Sequence, residues 1–305
     1  MSPKVDPDIQ KINQIKGELH ANILAHNYQI PEVHAVADVI GDSLELALAA
    51  RDTDVDVLIV CGVRFMAETA KLLNPEKRVY IPIPDAGCPL ADFLTPELIR
   101  DSRQKYPDAA VVVYVNSSAA CKSVADIVCT SGNAVTIVKS LPQSRIIFGP
   151  DANLASYVRE QVPEKEIITI PVDGHCYVHQ QFSLEDIRNA RLIGGTILAH
   201  PECPEIIRHH ADIVASTGRM IRIIGEHEER VWHIFTEEGM VMRLRSLFPD
   251  KEFHSVQSAV CKDMRKTTIG DIIRCLESLQ GEIILDQDSS ESARRSLDRM
   301  LEASS

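Results

Sequence analysis

The sequence predicts an α/β chain of three homologous three-layer αβα units, their parallel sheets arranged around a pseudo-threefold axis. Three observations predict it. Five short motifs recur three times in one order, and apolar strand-like runs alternate with helical patterns throughout. One cysteine also closes each copy, Cys88, Cys176 and Cys261, at spacings of 88 and 85 residues. Self-similarity at a fixed period marks a chain built from copies of one unit. Strands alternating with helices give a parallel sheet covered on both faces.

The first motif is an apolar strand with a polar end: Ile23 to Tyr28, Val113 to Ser118 and Ile197 to Glu202, with His26, Asn116 and His200 set in register. The second is Ala37-Asp38-Val39-Ile40, echoed by Ala125-Asp126-Ile127-Val128 and Ala211-Asp212-Ile213-Val214. Five residues after each Asp comes a hydroxyl, Ser43, Ser131 or Thr217, which heads a helical pattern as its expected cap. The third is a second apolar strand: Val57 to Gly62, Ile146 to Gly149 and, more loosely, Trp232 to Phe235. The fourth runs as strand and loop to the cysteine, from Ile81, Ile168 and Phe253. The fifth is a capped helix opening at Thr95, Ser183 or Thr268. Each unit thus reads helix, strand, helix, strand, helix, strand. The units are 1–95, 96–183 and 184–280; the tail 281–305 supplies an extra strand and helix, with the first unit as its candidate partner.

At 45% hydrophobic and 25% charged residues, the 305-residue chain has the composition of a globular protein with a sizeable core. It has no apolar run long enough for a membrane span, and Met1 to Leu19 is polar and unlike a signal peptide, so a cytoplasmic protein is expected. The net charge of −12, without a basic cluster interleaved with aromatics, excludes nucleic acid as a partner class. Eight cysteines in a reducing compartment point to core thiols, metal ligands or catalysis rather than disulfides.

Ligands collect at the carboxyl ends of parallel strands, where helix amino termini point free N–H groups outward. Around a threefold axis, one site would receive matching residues from all three units. Cys88, Cys176 and Cys261 then converge as thiolates. Cys61, Cys121, Cys129, Cys203 and Cys275 sit in apolar or unmatched contexts and read as core. Three soft ligands suit either zinc, completed by His175 or His179, or an iron-sulfur cluster with one iron left open. Because alternate strand residues share a face, His26 with Tyr28, Tyr114 with Asn116 and Ser118, and His200 with Glu202 form one polar wall per unit.

Taken together, Ala25-His26-Asn27-Tyr28, Ile40-Gly41-Asp42-Ser43, Phe65 to Ala70, Tyr114-Val115-Asn116-Ser117, His175-Cys176-Tyr177-Val178-His179, His200-Pro201-Glu202-Cys203, Ser216-Thr217-Gly218 and Cys261-Lys262-Asp263-Met264 resemble the motif series of the A-type, iron-sulfur-dependent quinolinate synthase family. The resemblance runs from about Ile23 to about Thr268. It implies condensation of iminosuccinate with dihydroxyacetone phosphate to quinolinate, phosphate and water, on the route to NAD. It implies a 4Fe-4S cluster on Cys88, Cys176 and Cys261, with substrate bound by His26, Ser43, Tyr114, Asn116, Ser131, His200, Glu202 and Thr217. Tyr28 and Glu202 match the acid/base positions. The L-aspartate oxidase that supplies iminosuccinate is the candidate protein partner. Pro89-Leu90 and Gly132 depart from the family pattern without removing a functional group. Two rival readings need the same cysteines: a cluster-dependent hydro-lyase of a small hydroxy acid, and a non-catalytic iron-sulfur sensor.

Overall fold

The computed structural model describes residues 6–256 and 259–304. Among the described residues twelve strands form three separate four-stranded sheets. The first holds β1 (Ala21–His26), β2 (Val39–Gly41), β3 (Val57–Cys61) and β4 (Arg78–Tyr80). The second holds β5 (Ala110–Tyr114), β6 (Ile127–Cys129), β7 (Arg145–Gly149) and β8 (Glu166–Thr169). The third holds β9 (Thr196–Ala199), β10 (Ile213–Val214), β11 (Val231–Phe235) and β12 (Glu252–Ser255). All pairings are parallel, and each sheet has the same spatial order, second, first, third, fourth. The sheets thus carry four strands where three were expected per unit. The extra one is the second motif itself, two or three residues long at a sheet edge.

The central strands are continuous apolar runs, as burial on both faces requires: all five residues of β3 and of β5 are buried. The motif aspartates are explained by one repeated contact. Asp38, Asp126 and Asp212 accept the backbone N–H of Ile23, Val111 and Ile197 at 2.7, 2.7 and 2.8 Å, pinning the edge-strand loop to the first strand. Each also pairs with a cation from the helix that precedes that first strand, Lys16, Arg103 or Arg191.

Thr95, Ser183 and Thr268 do cap helices, the last two in full capping boxes with Asp186 and Asp271. The helix that Thr268 opens, Ile269–Ser278, begins a fourth copy of the pattern. It lies beside the first helix, Pro7–Leu19, where Ile272 and Leu276 join Ile12 over Ile23 and Ile59. In the tail, the expected extra strand shrinks to one antiparallel bridge, Tyr80 with Glu282, because the chain turns at Gly281 (φ 84°) and only briefly runs beside β4. The helix Gln287–Glu302 then packs on the helix Ala119–Ser123 and β6, and also touches the helix Arg64–Leu73. Among the described residues no helix is long and apolar enough to cross a membrane.

Candidate active site

The carboxyl ends of all three sheets open onto one cavity. The first sheet and its loops supply His26, Tyr28, Ser43 and Cys88. The second supplies Tyr114, Asn116, Ser131 and Cys176, and the third supplies His200, Glu202, Thr217 and Cys261. All the side chains expected to hold the cluster, bind substrate or move protons therefore line one space.

The register differs from the expected one. Leu24 pairs with Val39, Val112 with Ile127 and Leu198 with Ile213, so His26, Tyr114 and His200 are level, and Asn116 falls level with Tyr28 and Glu202. The shift is two residues, and an even shift keeps side chains on the same face. Ser118, expected beside Tyr28 and Glu202, instead caps the helix Ala119–Ser123 by accepting the Cys121 N–H at 3.2 Å, and it lies outside the cavity. Tyr28 is no strand residue either. β1 stops at His26, whose Nδ1 accepts the Tyr28 N–H at 3.2 Å, and a tight turn brings the two rings edge to face at 4.5 Å.

The hydroxyls too are placed differently than as caps. Asp42 and Ser216 occupy the cap positions, leaving Ser43 and Thr217 as the first residues of ten-residue helices, and Ser131 sits in the turn before the helix Ala134–Ser140. Freed from capping, these groups make contacts between units. Asn27 Nδ2 donates to Thr217 Oγ1 at 3.1 Å, His200 Nε2 lies 3.2 Å from Ser131 Oγ, and Gly132 abuts Ser216.

A buried chain of polar groups connects Tyr28 to Glu202. Tyr28 Oη lies 2.6 Å from Thr236 Oγ1, which lies 2.8 Å from His179 Nε2, and His179 Nδ1 lies 2.8 Å from Glu202 Oε2. Burial alone would raise the Glu202 pKa, but His179 and His200 beside it, with the Tyr114 hydroxyl, hold it down at about 2. A carboxylate here fixes the polarity of the chain: the Nδ1 proton of His179 faces Glu202 as an ion-pair contact without hydrogen-bond geometry, Nε2 accepts from Thr236, and Thr236 accepts from Tyr28. Glu202 Oε1 is buried without a hydrogen-bond partner. Burial pushes Tyr28 and Tyr114 well above the ordinary phenol range, with the Glu202 charge adding to it.

His26 and His200 are each lowered from 6.5 to about 3, chiefly by burial. Between those values the unfolded chain binds protons that the folded one refuses. Their contribution is intact above pH 6.5 and erodes as pH falls toward 3, by about 1.4 kcal/mol per pH unit for each histidine. Urea titrations of metal-free protein from pH 7 to 5 are expected to show this slope, reduced by one share in His200→Gln; an unchanged slope would refute the assignment.

All eight cysteines are unpaired. Five, Cys61, Cys121, Cys129, Cys203 and Cys275, are buried in the cores; only Cys88, Cys176 and Cys261 are partly exposed, and these face the cavity. Burial raises all three thiols, and Cys88 further feels Cys261, as Cys176 feels Cys88. Any metal group must therefore displace their protons on binding. The soft donor set fits a thiolate-held cluster. Among the described residues the three sulfurs are not a set within 4.8 Å of one another, as ligands about 2.3 Å from a single zinc would be. Of the two histidines considered for zinc, His175 lies outside the cavity with its Nδ1 2.8 Å from the Asp173 carbonyl, while His179 joins Cys176 and Glu202 in a group of possible ligand atoms within 4.8 Å of one another, a group that takes in only one of the three cysteines.

Sequence reasoning missed Thr236 altogether and took His179 only as a metal ligand. Thr236 stands just past β11, where the other sheets have Gly62 and Pro150, so no repetition announces it.

Three α/β units that pool strand-end acids, histidines and cysteines in one cavity define an enzyme of small polar substrates with a thiolate-held metal group. A family model described as "Quinolinate synthetase A protein" matches residues 10–302. Quinolinate synthases of Thermococcus onnurineus and Pyrococcus furiosus are each 47% identical over 304 residues, 99% of this chain and 100% and 99% of theirs. That of Thermotoga maritima is 46% identical over 296 residues, 96% of this chain and 99% of its own. The chain belongs to the quinolinate synthase family, enzymes of NAD biosynthesis that use a 4Fe-4S cluster.

Proposed function

We propose that this cavity is where iminosuccinate and dihydroxyacetone phosphate condense to quinolinate, phosphate and water. Each unit, 1–95, 96–183 and 184–280, contributes one cysteine and one polar wall. The observation that carries the reading is the convergence of Cys88, Cys176 and Cys261 with a chain of close polar contacts from Tyr28 to Glu202 in one space.

Cys88, Cys176 and Cys261 would hold the cluster. When bound by only three cysteines, it supplies an open iron that acts as a Lewis acid toward a substrate hydroxyl or carboxylate. The chain's own residues bind and move protons. Ser43 and Thr217, heading their helices, offer hydroxyls beside free N–H groups to the phosphate and carboxylates, with Ser131 opposite. Neutral His26 and His200 donate to or accept from substrate oxygens without adding charge, and Asn116 and Tyr114 complete the wall.

Burial forbids a free Tyr28 phenolate. Tyr28 can nevertheless act as base in one concerted step: it takes a proton from the condensing carbon or nitrogen as its own passes through Thr236 and His179 to Glu202, so no phenolate forms. The newly protonated Glu202 then serves as acid toward a departing hydroxyl and returns to its carboxylate. The L-aspartate oxidase that makes iminosuccinate is the proposed partner, and the cytoplasm the proposed location.

Anaerobic incubation with iminosuccinate and dihydroxyacetone phosphate is expected to give quinolinate and phosphate in equal amounts. Quinolinate formation without phosphate release, or water loss from a hydroxy acid with no phosphorylated substrate, would overturn the reading.

A further inference from the structure

In each sheet the second residue beyond the third strand caps the next helix: Val63 after β3, Asp151 after β7 and Glu237 after β11. Asp151 and Glu237 have no exposed surface. A carboxylate so buried is tolerated only where donors surround it. Glu237 uses one oxygen locally, Oε2 accepting the Gly239 N–H at 2.5 Å. Its other oxygen reaches 24 residues along the chain, where Oε1 accepts the backbone N–H of Cys261 at 3.1 Å. Arg265 Nε, 3.6 Å from the same oxygen, supplies countercharge.

Asp151 repeats the local half of the pattern in the second sheet. Its Oδ1 accepts the Leu154 N–H at 2.6 Å. Burial and the Glu202 charge raise its pKa, and the nearby N–H groups of Leu154 and Cys176 oppose that rise.

We propose that Glu237 is a positioning residue for Cys261: its buried carboxylate fixes the cysteine's backbone, and so the direction of its thiol, at the cluster site. Asp151 makes no such bond, its Oδ2 being buried without a hydrogen-bond partner, and Val63 has no polar side chain to offer Cys88. The inference rests on Cys261 being a cluster ligand. Removing a group that orients a metal ligand costs about 10- to 100-fold in metal affinity.

Glu237→Asp separates anchoring from capping. Aspartate is a strong helix cap, but its side chain is about 1.5 Å shorter and falls short of Cys261. In anaerobic holoenzyme treated with a ferrous chelator, Glu237→Asp is expected to release iron at least about ten-fold faster than wild type, while the metal-free protein melts at the wild-type temperature. Glu238→Gln, next in sequence and 3.6 Å from Arg265 but without contact to Cys261, is the control and is expected to release iron at the wild-type rate. Should Glu237→Asp fail to fold, Glu237→Gln is measured in its place, since it keeps the shape but can present an acceptor to only one of the two N–H groups.

Wild-type release in the folded variant, or faster release matched by an equally destabilised metal-free protein, overturns the inference. Cys261→Ser keeps the two failures apart. If it retains full iron, the ligand assignment falls; if it loses iron while the Glu237 variant does not, only the anchoring role falls.

Discussion

Tyr28→Phe and Glu202→Gln are expected to slow single-turnover quinolinate formation by about 100- to 10,000-fold while keeping iron and substrate binding. The size of the effect follows from the burial of the proton path. Tyr28, Thr236, His179 and Glu202 touch in sequence at 2.6 to 2.8 Å, and Thr236, His179 and Glu202 are buried. Bulk water offers no easy substitute. Phenylalanine removes the O–H that starts the chain, and glutamine removes the carboxylate that ends it, each with little change in volume. Thr236→Val, which keeps the shape of threonine without its hydroxyl, cuts the path in the middle and is expected to slow turnover in the same direction with substrate binding retained. If all three variants turned over at near-normal rates, the polar chain would be a packing feature and not a proton path.

Serine at Cys88, Cys176 or Cys261 is expected to abolish the cluster and the activity together, whereas serine at any of the other five cysteines leaves both in place. The division is physical. The five are closed off in sheet and helix cores, where Cys121 and Cys203 donate to the Leu94 and Phe235 carbonyls at 3.2 Å, so a metal group cannot reach them. The three sit on loops after the fourth strands and face the cavity. A Cys176→Ser protein that kept its full iron would disprove the threefold assignment, and loss of iron in Cys129→Ser would show that core thiols contribute.

What the sequence disclosed, it disclosed through repetition. Asp38, Asp126 and Asp212 recur because each closes the same hydrogen bond on the first strand of its sheet, and the cysteines recur because three equivalent loops meet at one place. Where the copies diverge, sequence reasoning lost its footing. The motif alignment sets Asn116 two residues away from its observed partners because the polar ends of the first strands differ in composition. The face assignment survived only because the slip was even.

The sequence assigns Ser43 and Thr217 to caps, since residues that cap also head helices; the observed caps are Asp42 and Ser216, one position earlier. Thr236, the middle of the proton path, is unique to the third unit, and β11 matched its counterparts only loosely. A residue that occurs once gives no periodic signal, and contacts such as Tyr28 with Thr236, 208 residues apart, are visible only after folding.

The central claim is that three units hold one open cluster between them, and metal analysis of anaerobically purified protein tests it most directly. Iron, acid-labile sulfide and zinc would be counted per chain. The account predicts about four irons and four sulfides per chain and no stoichiometric zinc; one zinc per chain without sulfide, in protein that still forms quinolinate, would contradict it.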